Sequence, residues 1–325
     1  MKRFTLLLVI GLIVSCSKDD SVSPVPEEPI VAEFRTKLSE LNLYTGAMKD
    51  LNISSKAFKY QLNTPLFTDY AQKERLIALP EGGRMRFNGE GLPIFPDNTL
   101  IAKTFYYNID NRDVSLGRQI IETRILIKSN GEWTTGNYKW NEEQTDALLD
   151  LNGSTVPVTW INDDGISNSI NYVIPSDADC FTCHKSYDNI TPIGPKLRSL
   201  NFEIEGANQI QRLLDNDQLF GLDNPNNVNT IVNWEDTSQS LESRARAYFD
   251  VNCAHCHIPG GFCEDQSILN LDHSVNLSNS FITERKASIL SRVSSYNPGF
   301  SMPLIGTTIV HDEGLELIES YLNTL

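Results

Sequence analysis

The amino-acid sequence predicts a multidomain α+β protein, with an N-terminal domain built on an antiparallel β-sheet or sandwich and a mainly α region after it. Three observations carry this reading. Between Phe58 and Ile174, short runs rich in β-branched and aromatic residues alternate with tight-turn signals. After Pro175 the apolar spacing changes from two residues to three or four. A five-residue pattern, C-x-x-C-H, occurs twice in the second half, at 180–184 and 253–257.

The chain opens Met1-Lys2-Arg3 and then runs apolar from Phe4 to Val14, a basic segment and a short hydrophobic one that cannot span a bilayer. Ile13-Val14-Ser15-Cys16 resembles a bacterial lipobox. The expected reading is a lipoprotein signal peptide over 1–15 and lipidation of Cys16. The polar run Ser17, Lys18, Asp19, Asp20 looks like the signal some Gram-negative lineages use to place lipoproteins on the outer face of the outer membrane. Residues 16–31 are acidic and proline-rich, as in a stiff tether. The expected location is therefore the cell envelope, as an outer-membrane lipoprotein that faces the periplasm or the surface.

A β-rich domain is expected over 32–175. It begins with a short helix over 31–43, where Phe34, Leu38 and Leu41 have helical spacing. Strands are expected at 75–79, 84–87, 100–107, 119–128, 138–140, 147–151, 156–161 and 169–174. Turn signals such as Asn88-Gly89, Asn130-Gly131, Asn152-Gly153 and Asp164-Gly165 separate them. This stretch carries no histidine and no cysteine, and no acid–base pair or nucleophile stands out in it. Its large aromatics, among them Tyr106, Tyr107, Trp133, Trp140 and Trp160, read as core and sheet-face residues.

Ser176-x-x-Asp179 reads as a capping box that opens the helix bearing the first C-x-x-C-H. Leu241 to Asn252 is an amphipathic helix that leads into the second. Ile282 to Val293 is another. A last helix, capped by Asp312, presents Leu315, Ile318, Tyr321 and Leu322.

C-x-x-C-H is the attachment signature of c-type haem. Positions i and i+3 share a helix face, so Cys180 with Cys183, and Cys253 with Cys256, can each reach the two vinyl groups of one porphyrin. The next residue, His184 or His257, aims its imidazole at the iron. Two covalently attached haem c groups are therefore expected, the first over 176–236 and the second in a domain over 237–325. A four-cysteine zinc site is the weaker alternative, because Cys183 and Cys253 are far apart in sequence and a histidine follows both pairs. A thioredoxin-like pair expects a βαβ context.

Met302-Pro303 falls between the last two helices, and a thioether there supplies a soft axial ligand to the second haem. No methionine lies between His184 and Cys253, so the sixth ligand of the first haem stays open among His273, His311, Met48, Met85, a lysine and an empty position. His255, inside the second motif, should point away from that haem. His311, beside a helix start, suits a structural role. Cys263 is left over and reads as a small buried thiol.

The chain resembles an uncharacterised family of exported diheme c-type cytochromes with a β-rich N-terminal domain. The resemblance rests on LNTPLFTDYAQKERLIALP (62–80), KTFYYNIDNRDVSLGRQIIETRILI (103–127), YKWNEEQTDA (138–147), TPIGPKLRSLN (191–201), RARAYFDVNCAHCH (244–257) and MPLIGTTIVHDEG (302–314). It implies two haems and single-electron transfer, with a class I cytochrome c-like second haem domain. Cys263 lies outside the shared pattern.

The formal charge of −15 becomes −17 once residues 1–15, with two cations and no acid, are removed. That surface disfavours nucleic acid and favours a basic redox partner protein. Two other function classes remain in view. One is a peroxidase-like enzyme with an open first haem. The other is a β-domain that binds a ligand, with the haems as its redox attachment.

Overall fold

A computed structural model describes residues 27–325. Cys16, the expected signal peptide and most of the tether lie outside the described residues. Among the described residues no helix is long and apolar enough to cross a membrane.

The first half is strand-rich. In chain order the strands are β1 (Ala57–Lys59), β2 (Gln72–Ala78), β3 (Met85–Arg86), β4 (Leu100–Asn108), β5 (Arg118–Ser129), β6 (Glu132–Trp140), β7 (Ala147–Leu149), β8 (Ser154–Ile161) and β9 (Ser167–Ile174). Six of them form one antiparallel sheet in the order β1-β2-β4-β5-β6-β7. β8 and β9 make a separate antiparallel hairpin. It packs against the sheet through Phe105, Tyr107, Ile121, Val158, Trp160 and Tyr172. Asn130 and Gly131 both adopt positive φ, 53° and 84°, as the two-residue turn joining β5 to β6 requires.

Both faces of the sheet are buried. Leu76, Ala102 and Ile125 pack on one side against the segment that includes Leu38, Leu41 and Leu51. Ile77, Ile101 and Leu126 pack on the other against Leu197, Ile210 and Leu213. This explains why β2, β4 and β5 show near-continuous apolar runs rather than strict alternation. β3 stands outside the sheet and pairs parallel with Leu219–Phe220.

The helix expected over 31–43 does not form. Only Leu38–Leu41 makes a 3-10 turn, ended by Asn42 at φ 58°. The rest runs extended along the sheet edge, where Lys37 bridges Leu148 and the Leu149 amide donates to Thr36 O. Tertiary pairing overrides the spacing, and Leu38 and Leu41 are still buried. β6 also begins six residues earlier than expected, because the Asn130-Gly131 turn pairs Glu132 directly with Ser129 of β5; Phe34 covers Gly136 so closely that a side chain there would have no room.

The second half is mainly helical: α1 (Asp177–His184), α2 (Leu197–Leu200), α3 (Gln209–Asp215), α4 (Leu241–Asn252), α5 (Leu277–Ser280), α6 (Ile282–Val293) and α7 (Asp312–Leu322). α4, α6 and α7 bury Phe249, Ile289, Leu317, Ile318 and Tyr321 against one another. Asp312 is the first helical residue, and His311 takes the cap position without a side-chain cap bond.

One buried carboxylate ties the halves together, and another ties the second half to itself. Asp69, just before β2, accepts from the Thr308 amide at 2.8 Å and from its hydroxyl at 2.7 Å. Asp250 of α4 meets Arg198 at 2.7 Å and Lys196 at 3.3 Å, and accepts from the His273 amide.

Candidate functional site

The first motif is set by its cap. Asp179 Oδ2 accepts from the Ser176 amide at 2.9 Å and from its hydroxyl at 2.7 Å, and the Asp179 amide donates back to Ser176 Oγ. The box starts α1 so that Cys180 and Cys183 fall one turn apart with His184 at the helix end. Cys180 is buried near Arg124 and Glu122, and burial raises its thiol to about 11.

After α1 the chain turns back through two short strands, Lys185–Ser186 and Asn189–Ile190. This brings Thr191 O to 2.7 Å from His184 Nδ1. A carbonyl only accepts, so Nδ1 carries the proton and Nε2 keeps its lone pair. Burial holds His184 neutral, at about 4. Its ring lines a cavity of about 50 Å³ between the sheet and the Pro192–Lys196 loop, together with Tyr60, Arg75, Lys103 and Arg124.

The second motif is positioned by α4. Cys253 ends that helix, and the following turn is closed by the His257 amide donating to Cys253 O at 3.1 Å. Cys253, Cys256, His257 and Met302 line one cavity of about 340 Å³, walled by Phe249, Ile289, Val293, Leu315 and Ile318. The Met302 amide donates to Arg292 O at 2.8 Å, which fixes its loop to the end of α6. Burial lowers His257 to about 4, and its Nδ1 is buried without a hydrogen-bond partner.

These residues fit a covalently held haem. A neutral, half-buried imidazole ends each motif. The larger cavity is mostly apolar, is within the size range of ligand sites, and offers a thioether. Among the described residues no three His, Cys, Asp or Glu side chains are grouped to hold a metal ion by themselves. Porphyrin nitrogens would supply the remaining donors.

The two motifs also meet each other. Cys256 Sγ lies 3.9 Å from Thr182 O, and the Tyr187 amide donates to Gly260 O at 2.7 Å. Cys183 and Cys263 are coupled to Cys256, which pushes Cys256 up and pulls the other two down, Cys263 to about 7. Cys263 is a buried thiol, as expected, and it sits against the second motif. His255 differs from expectation. It lines the larger cavity beside Cys183, and its Nδ1 is buried without a hydrogen-bond partner.

The named candidates for the first haem's sixth ligand lie elsewhere. Met48 packs on the far face of the sheet, and Met85 is buried in the core beside β3. His273 does not line the small cavity. His311 borders the larger cavity instead, with Nδ1 bonded to Tyr248 Oη at 2.7 Å, Nε2 3.5 Å from Glu313, and its ring stacked on Phe67 at 4.0 Å.

The sequence reading missed Arg75, Lys103 and Arg124. The available signal was three cations within runs that are otherwise buried on both faces. Burial, then Arg124 and Arg75, lowers Lys103 to about 7.

No protein-family model, curated protein or solved structure matches the chain.

Proposed function

We propose that this protein is a diheme c-type cytochrome that relays single electrons in the cell envelope, of the kind its resemblance to exported diheme cytochromes implies. The observation that carries the reading is the close approach of two complete C-x-x-C-H motifs, with Cys256 Sγ 3.9 Å from the first motif's Thr182 O. Each motif ends in a half-buried, neutral histidine. On this reading Cys180, Cys183 and His184 hold one haem, and Cys253, Cys256, His257 and Met302 hold the other. Residues 237–325 then form a class I cytochrome c-like domain, and the β-rich region serves to dock a partner, basic by charge complementarity.

A carrier works with six-coordinate haems, and an enzyme of the peroxidase kind leaves one position open. Carbon monoxide added to the reduced, haem-loaded protein should change neither haem's spectrum, and hydrogen peroxide should not be turned over. Rapid carbon monoxide binding at one haem with peroxide turnover would replace the relay by the enzyme reading.

Lipidation of Cys16 would anchor the chain to the outer membrane through the tether. Cys16→Ala should move the protein from the membrane fraction to the soluble one with its haems intact. Retention in the membrane fraction would remove the anchor from the proposal.

A further inference from the structure

Arg75 of β2, Lys103 of β4 and Arg124 of β5 stand directly opposite one another in a single cross-strand row. The row lies on the sheet face turned toward the first motif, and all three side chains line the cavity that His184 lines. Like charges placed this way destabilise a sheet unless something offsets them. Glu122 offsets Arg124 at 2.5 Å. Among the described residues the Lys103 ammonium has no hydrogen-bond acceptor and no carboxylate partner. It lies over the Phe105 ring, 5.2 Å from the centroid. Lys103 is half-buried, and its amine is left unengaged at the cavity wall.

The cavity separates donors by chemistry. Arginine remains protonated and cannot give a lone pair to a metal. Lys196, the other lysine lining it, is taken by Asp250, with both carboxylate oxygens at 3.3 Å. No methionine, cysteine or second histidine lines it. His184 comes from the motif side with Nε2 free, and Lys103 comes from the sheet side with its amine unengaged.

We propose that Lys103 is the second axial ligand of the haem carried by Cys180, Cys183 and His184. The assignment rests on the diheme reading above. Ligation needs the neutral amine, so Lys103 would release one proton to solvent as its nitrogen bonds the iron. An amine is a harder donor than a thioether and favours Fe(III). The first haem therefore has the lower potential of the two, and electrons run from it to the haem on His257 and Met302. Arg75 and Arg124 flank the ligand and hold the wall in place.

The experiment uses the full-length, haem-loaded protein. Haemochrome analysis counts the haems, and electron paramagnetic resonance with near-infrared magnetic circular dichroism reads spin state and axial donors. Wild type should show two low-spin haems, one with a His/Met charge-transfer band and one with an amine-type band. Lys103→Arg keeps the charge but cannot ligate, so it should turn one of two haems high-spin and open it to carbon monoxide. Lys103→His should keep that haem low-spin with a shifted band, and Tyr60→Phe should change neither. The proposal is overturned if wild type lacks an amine-type band, if Lys103→Arg leaves both haems low-spin, or if Tyr60→Phe produces the high-spin haem instead. A wild-type count other than two haems would overturn the diheme reading itself, which distinguishes the two failures.

Discussion

Replacing Cys180 and Cys183 together by alanine should leave a protein with one covalent haem in place of two. Thioether bonds survive denaturation, so haem staining after denaturing electrophoresis should weaken to about half per chain, and the haemochrome ratio should fall from two to one. The second haem should be retained because its cysteines, histidine and thioether line the larger cavity, to whose wall the first motif gives only Thr182 and Cys183. Cys180 is 8 % exposed, and losing its sulfur from the sheet contact should cost roughly 1 kcal/mol, a typical cost for one substitution. That is too little to unfold the chain. An unchanged haem count, loss of both haems, or stoichiometric zinc in the wild-type protein would each contradict the two-haem assignment.

Met302→Ala should abolish the weak far-red band of Met–Fe(III) ligation and lower one of two reduction potentials. Axial-ligand identity spans roughly 0.8 V across haem proteins, so a fall of at least about 0.1 V is expected at the second haem and little change at the first. The local backbone should survive the substitution. The residue 302 amide, not its side chain, donates to Arg292 O, and Arg292 Nη1 donates to Phe300 O at 2.9 Å. If the band and both potentials persist, the thioether is not a ligand.

Much of this could be read along the chain, for different reasons in different places. α4 and α6 have the bounds expected from their apolar stripes, because each is one amphipathic helix with its own cap or turn. The long strands follow from the paired-turn chemistry at sites such as Asn130-Gly131. Leu38 and Leu41 misled because a spacing of three buries them equally well in a helix or in a single 3-10 turn held against a sheet edge. The cysteines and histidines of both motifs were legible because the chemistry is local. Met302 joins His257 at one cavity as its position between helices implied. The approach of the two motifs and the row of Arg75, Lys103 and Arg124 were not legible. One depends on packing between segments 74 positions apart and the other on strand register, and no local pattern encodes them.

The Asp69 clasp on Thr308 has a consequence for how the molecule is made. It joins positions 239 apart, and Tyr70 reaches Glu313 across 243. Closing so large a loop costs entropy before any contact rewards it, and folding dominated by such contacts is slow. The strand-rich half therefore cannot be clasped to the C-terminal segment until Thr308 and Glu313 are in place, and everything that folds earlier does so without that tie.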